Sequence, residues 1–188
     1  MSSLDPLEEF YRRDGRPLPR LQFLPPEEIP EPYRSLLVHD RDMTPTLEQF
    51  HGGRIVLDLI HRRTEPTGLS REVVLVLSGS RKPVEYGAIL IHRAPFPSEA
   101  WEKVLACRTP LGTLLAEHQI RHQSCPESYF RVEADSHILG ALRLGHPTPL
   151  YGRHNRLVTE TGEVLADVVE ILPPEAGTGV SAPPPEQQ

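Results

Sequence analysis

Cysteine is scarce in this chain, which has two in 188 residues, Cys107 and Cys125, and no Cys-x-x-Cys pair. A disulfide framework and a thiolate zinc site are therefore not expected, and two reduced thiols in a cytoplasmic protein are the favoured interpretation. No stretch approaches the ~18 consecutive apolar residues of a membrane helix. The acidic N-terminus also lacks the apolar core of a signal peptide. We expect a cytoplasmic protein with no membrane partner.

Basic tracts and the common cofactor motifs are also missing. The formal net charge is −6, and Lys and Arg are scattered along the chain, which argues against a nucleic-acid partner. There is no glycine-rich phosphate loop and no Gly-x-Ser-x-Gly nucleophile motif. The sequence thus predicts no cofactor, and nothing in it indicates a nucleotide or a flavin.

The spacing of two histidines raises zinc as an alternative. His118 and His122 lie four positions apart, with Glu117 and Cys125 nearby, and on a helix this spacing can bind zinc. The segment around Ile120 is more typical of a strand, and no second ligand pair follows it. A polar surface patch is the favoured interpretation, and no metal is predicted.

The order of helix-like and strand-like segments predicts the α+β class. Helices are expected at 5–12, 32–39, 44–52, 97–107, 111–117 and 135–142. Strands are expected where β-branched residues are frequent, at 54–62, 71–78, 84–92, 121–133, 150–160 and 163–172. Residues 121–133 would form one strand or two strands broken by Pro126. Short turns join most neighbouring strands, which favours an antiparallel sheet over βαβ units.

Proline and low-complexity composition indicate the limits of the domain. Residues 14–30 are rich in proline and predict an extended leader, which together with the short first helix makes up residues 1–30. The tail, residues 174–188, is rich in Gly, Pro and Gln, which is typical of disorder. The folded domain is predicted to span residues 31–173.

Two charged residues interrupt apolar strands. Glu170 stands between Val169 and Ile171, and Arg71 opens the apolar segment 71–77. A buried carboxylate is rare unless it is paired, because its desolvation costs roughly several kcal/mol. Glu170 is therefore expected to meet an arginine, a ligand hydroxyl, or both. Arg71 and Glu170 would form either a polar pocket inside the sheet or a buried ion pair with a purely structural role.

Four sequence blocks resemble the chorismate pyruvate-lyase (4-hydroxybenzoate synthase) family and its broader relatives. They are Asp-Met-Thr-Pro-Thr-Leu-Glu-Gln-Phe (42–50), Ser-Arg-Glu-Val-Val-Leu (70–75), Thr-Pro-Leu-Gly (109–112), and Tyr-Gly-Arg-His-Asn-Arg-Leu (151–157) followed by Val-Val-Glu-Ile-Leu-Pro (168–173). In this order they cover about residues 35–173. The resemblance implies a single domain with a roughly six-stranded antiparallel sheet, flanking helices and an enclosed ligand pocket.

The resemblance also implies roles for individual residues. Arg71 would bind the ring carboxylate with two parallel hydrogen bonds, and the backbone N–H near Leu111 would add a donor at a helix start. Met43 would line the pocket. Glu170 would accept a hydrogen bond from the 4-hydroxyl, and Arg153 would hold the second carboxylate, on the enolpyruvyl arm. Arg71 and Glu170 would form the catalytic pair.

The implied activity is the cofactor-independent conversion of chorismate to 4-hydroxybenzoate and pyruvate. The protein would hold the reactive conformer, exclude water and stabilise the departing enolpyruvate. Glu170 would act either as the base or as the group that orients the hydroxyl. The expected partner is the small-molecule substrate, and the expected state is a monomer or weak dimer.

Two alternatives to this activity stay open. In the ubiquinone-pathway enzymes of the family an Arg follows the glycine that is Gly87 here, whereas this chain has Ala88, so another aromatic acid is an alternative substrate. The same fold also serves as a non-catalytic small-acid sensor in bacterial transcription regulators. A winged-helix domain precedes the sensor there, and residues 1–30 are too short and too rich in proline to form one.

Overall fold

A seven-stranded antiparallel sheet runs through residues 4–174, the part of the chain that the computed structural model describes. The strands are β1 (Arg20–Leu24), β2 (Ile55–Glu65), β3 (Gly68–Leu77), β4 (Pro83–His92), β5 (His122–Glu133), β6 (Pro149–Thr159) and β7 (Val164–Leu172). Their order across the sheet is β1-β5-β6-β7-β4-β3-β2. The predicted α+β class with an antiparallel sheet is confirmed.

Within the described residues, six α-helices cover the sheet. They are α1 (Leu7–Arg13), α2 (Tyr33–Leu37), α3 (Met43–His51), α4 (Ser98–Ala106), α5 (Leu111–Glu117) and α6 (Ser136–Ala141). Helices α2 to α5 pack on one face of the sheet, and α1 and α6 pack on the other. None of the helices in residues 4–174 has the length and apolar character needed to cross a membrane.

The central strands are buried on both faces. Along β7, Val168 belongs to the core under α4 and α5, whereas Val169 and Ile171 belong to the core under α1 and α6. This alternation follows from the two-residue period of a strand. Because both faces are covered, β3 and β7 are almost continuously buried, and a charge within them stands out.

The seventh strand comes from the segment that was predicted as a leader. β1 pairs with β5 along its whole length, and Leu4, Leu7 and Phe10 upstream of it are buried in the core. Residues 4–30 therefore pack into the domain, which differs from the predicted boundary at residue 31. The prolines around β1 are tolerated because only one side of an edge strand needs N–H donors. From residue 175 onward, the tail that was predicted to be disordered lies outside the described residues.

The structure corrects the predicted start of α3 and decides between one and two strands around Pro126. α3 begins at Met43, with Asp42 at its N-cap, and not at the predicted Thr44 cap. It ends, as predicted, before Gly52, which adopts the left-handed conformation with φ 64°. β5 passes through Pro126 as one strand, because a register irregularity between Pro126 and Ser128 absorbs the missing N–H.

Candidate functional site

A cavity lies between the sheet and the N-terminal ends of α3 and α5. Its empty volume is about 500 Å³, including the open mouth. The residues around it are Asp42, Met43, Thr44, Leu57, Arg71, Val73, Leu75, Glu85, Ile89, Pro110, Leu111, Gly112, Asn155, Leu157, Val168 and Glu170. Four residues that the sequence predicted for the site, Arg71, Glu170, Met43 and Leu111, therefore line one cavity, and Arg153 does not.

Strand register brings the two charged residues to the same wall. Arg71 on β3 pairs with Ile89 on β4, and Ile89 pairs with Val168 on β7. Glu170 is two positions beyond Val168, so it points to the same face of the sheet one step farther along. Residues far apart in sequence thus meet under α3 and α5, which close the cavity on the helical side.

The starts of α3 and α5 approach each other closely because residue 112 is glycine. A Cβ at Gly112 would lie 3.3 Å from Thr44 Oγ1 and 3.6 Å from the Cβ of Asp42. Neither helix has a side-chain N-cap hydrogen bond. The cavity therefore faces helix starts whose backbone N–H groups are not capped by a side chain, an arrangement that favours anions.

Arg71 is a buried cation whose hydrogen-bonding capacity is mostly unused. Its relative exposure is 0%, and Nη2 donates to the carbonyl oxygen of Thr109 at 3.4 Å. Nε and Nη1 have no partner among the described residues. Burial lowers the pKa of the Arg71 guanidinium, and the adjacent Cys107 opposes this shift. A buried arginine without a carboxylate partner is costly, which indicates a site for an anionic ligand.

Glu170 has a different partner from the one that the ion-pair alternative assumed. Arg153 Nε donates to Glu170 Oε2 at 2.5 Å, so Glu170 and Arg71 do not form the pair. The other nitrogens of Arg153 donate to backbone carbonyl oxygens of Leu37, His39 and Arg41 at 3.0–3.2 Å. Arg153 therefore holds the sheet to the segment between α2 and α3, and its guanidinium has little capacity left for a second ligand carboxylate.

Glu85 is a site residue that the sequence interpretation missed. It lies on β4 with 3% exposure and lines the cavity, and its Oε2 has no hydrogen-bond partner among the described residues. Burial and then the neighbouring Glu170 raise the pKa of Glu85 well above its ordinary value, while Arg153 acts in the opposite direction. The sequence contains a signal for Glu85, because the two-residue period of β4 places this carboxyl group on the same face as Ile89 in a largely apolar strand.

An Asp–His pair stands at the rim of the cavity. His122 Nε2 lies 2.9 Å and 3.0 Å from the two carboxylate oxygens of Asp42. This hydrogen bond raises the pKa of His122, and burial opposes the shift. Within residues 4–174 there is no cluster of three or more His, Cys, Asp and Glu side chains that could hold a metal ion. The pair instead ties the start of α3 to β5.

No family model and no curated protein sequence matches the chain. Its similarity to known proteins is therefore similarity of three-dimensional structure. Gene product SA0254 from Staphylococcus aureus has a TM-score of 0.54 at 12% identity, covering 73% of this chain and 90% of its own. PhnF from Mycobacterium smegmatis has a TM-score of 0.50 at 13% identity, covering 88% and 92%.

A third solved structure is less similar. The ligand-binding domain of a putative GntR-family transcriptional regulator from Bordetella bronchiseptica has a TM-score of 0.47 at 14% identity, covering 65% of this chain and 86% of its own. At such identities a structural likeness is evidence of shared architecture only. The α+β fold of this chain is thus the fold of SA0254 and PhnF.

Proposed function

We propose that this chain is a ligand-binding domain whose cavity takes a small aromatic carboxylic acid of the shape of 4-hydroxybenzoate. The observation that carries the proposal is Arg71, which lines the cavity, is fully buried, and has two nitrogens without a partner among the described residues. A carboxylate supplies two acceptors in the plane of a guanidinium. Binding it would satisfy donors that the folded chain leaves unused.

The charges around the cavity favour a monoanion. Glu170 is compensated by Arg153, and Asp42 at the rim is compensated by His122 when that histidine is protonated. The environment of Glu85 favours its neutral form. Arg71 is then the cation of the wall that lacks a counter-ion, and a single carboxylate would neutralise it.

The rest of the wall suits an aromatic ring with a polar substituent. Apolar side chains from the sheet and the helix starts, including Met43, Leu111, Ile89 and Val168, would contact the two faces of a ring. The backbone N–H of Leu111 would add a donor to the carboxylate. Glu170 would accept a hydrogen bond from a substituent on the ring.

Isothermal titration calorimetry with 4-hydroxybenzoate tests the binding function. Arg71→Leu should weaken binding by at least about 30-fold, because losing one partner of a buried charge pair costs ~2 kcal/mol or more. Arg62→Leu is the matched control, since Arg62 pairs with Arg71 across β2 and β3 but is exposed and does not line the cavity. Equal affinity of the wild type and Arg71→Leu would refute the proposal.

A lyase acting on chorismate is the second candidate, and the position of Glu170 favours it. Arg153 orients the Glu170 carboxylate at the cavity wall, where it would accept the C4 proton or orient the 4-hydroxyl. Loss of that proton and cleavage of the C3 ether bond would release enolpyruvate, which tautomerises to pyruvate, and leave an aromatic ring. The commitment of Arg153 to protein acceptors removes the group predicted to hold the enolpyruvyl carboxylate, so the binding function is preferred.

Incubation with chorismate separates the two candidates. Equimolar 4-hydroxybenzoate and pyruvate, formed by the wild type and lost in Glu170→Gln, would establish the lyase. The binding function predicts no turnover above the uncatalysed rate, together with saturable binding of 4-hydroxybenzoate. The control Arg62→Leu should behave like the wild type in both measurements.

A further inference from the structure

Glu85 gives the proposed site a second carboxyl group beside Glu170. It is 3% exposed, lines the cavity, and has an Oε2 without a partner among the described residues. Arg71 also lines the cavity and also has buried side-chain atoms without a hydrogen-bond partner among the described residues. Leaving a buried polar atom unpaired destabilises the folded protein, so both groups point to a ligand that would satisfy them.

Gly87 explains why the two carboxyl groups are neighbours. Gly87 on β4 pairs directly with Glu170 on β7. A Cβ at residue 87 would lie 3.3 Å from Glu85 Oε1 and 3.2 Å from Val73 Cγ2. Because residue 87 has no side chain, the Glu85 carboxyl group has room over Gly87. Gly87 lies directly opposite Glu170 in the sheet, so the two acids come close together.

The two carboxyl groups differ in their surroundings. Glu170 is held by Arg153 through Oε2, while burial and the nearby Glu170 raise the pKa of Glu85. A neutral carboxyl group offers one acceptor and one donor. Together the two groups can receive two donors from a ligand, whereas a ligand with one hydroxyl leaves one of them unsatisfied.

We infer that the ligand of the proposed site carries a carboxylate for Arg71 and, at its other end, two hydrogen-bond donors, one for Glu170 and one for Glu85. Aromatic acids with an amino group or with adjacent hydroxyls have this chemistry. The inference rests on the proposed binding function and deepens it by naming the ligand class. Glu85 is then a specificity-determining residue of the site.

A series of four acids tests this inference by calorimetry at neutral pH. Benzoate has no ring donor, 4-hydroxybenzoate has one, and 4-aminobenzoate and 3,4-dihydroxybenzoate each have two. The wild type should bind both two-donor acids at least about tenfold more tightly than 4-hydroxybenzoate, as expected for one added hydrogen bond to a buried acceptor.

Two variants assign this preference to Glu85. Glu85→Leu should abolish the tenfold advantage, because the variant keeps Glu170 as the acceptor for one ring donor and lacks the acceptor for the second. Gly87→Ala should reduce the advantage by crowding the Glu85 carboxyl group. This variant retains both Glu85 and Glu170, so it provides the test if Glu85→Leu fails to fold. The control Arg62→Leu should keep the full preference.

The outcomes separate the inference from the proposed function. If none of the four acids binds, or if Arg71→Leu binds them unchanged, the proposed function itself is wrong. If binding depends on Arg71 but 4-hydroxybenzoate binds as tightly as the two-donor acids, this inference alone is wrong. Survival of the advantage in Glu85→Leu would likewise overturn it, whereas its loss there supports it.

Discussion

Arg153 donates from Nε to Glu170 Oε2 at 2.5 Å across the β6–β7 ladder, and both side chains are buried. The central sheet contains a second fully buried arginine, Arg71, which has no such acceptor among the described residues. The Glu170 carboxylate thus offsets the cost of desolvating Arg153, whereas no such carboxylate among residues 4–174 offsets the cost of desolvating Arg71. The two arginines should therefore differ in their effects on stability and on binding.

Replacement of Arg153 should destabilise the fold. Arg153→Leu leaves Glu170 buried without its counter-ion and breaks the hydrogen bonds to the segment between α2 and α3. We expect a loss of ~3–5 kcal/mol in the free energy of unfolding, measured by urea denaturation. Arg121→Leu is the control, because the Arg121–Glu160 pair is largely exposed, and it should change little. A small effect of Arg153→Leu would contradict the structural role.

Replacement of Arg71 should have the opposite signature. Arg71→Leu removes an uncompensated buried charge, so the free energy of unfolding should stay the same or rise while acid binding is lost. Urea denaturation without ligand, combined with calorimetry, measures both quantities on one sample. A destabilisation as large as that of Arg153→Leu would mean that Arg71 holds the fold together through a protein partner.

Glu85 should make stability fall as the pH rises. Its folded-state pKa is raised by burial and by Glu170. The contribution of Glu85 to the free energy of unfolding is therefore fully present below the ordinary pKa of about 4.3. The contribution is lost as the pH rises toward the folded-state pKa. The stability of Glu85→Gln relative to the wild type should therefore increase from pH 5 to pH 9. A difference between Glu85→Gln and the wild type that does not change with pH would rule out the shift.

The Asp42–His122 pair should stabilise the fold at lower pH. The hydrogen bond to Asp42 raises the pKa of His122, so its contribution is complete below the ordinary value of about 6.5 and is lost as the pH rises through the raised value. The destabilisation caused by Asp42→Asn should be larger at pH 5.5 than at pH 9. An NMR titration should show a lower His122 pKa in the variant, and an unchanged pKa would exclude Asp42 as the cause.

Patterns within single segments predicted most of the elements. α5 begins and ends at the predicted residues, and β7 was predicted to within one residue, because helix starts and β-branched runs carry local signals. β1 was missed because its prolines are typical of a leader, and nothing local reveals that β5 offers it a free edge. Pairing of strands distant in sequence is a property of the whole sheet.

The sequence by itself determined that two charges would be buried, because Arg71 and Glu170 lie within apolar strands where only a polar partner or ligand compensates their desolvation. Only the tertiary structure decided which partner each one meets. The register of β6 against β7 gives Arg153 to Glu170, and the register of β4 places Gly87 and Glu85 beside it. Arg71 is left to the cavity because its Nε and Nη1 have no hydrogen-bond partner within residues 4–174.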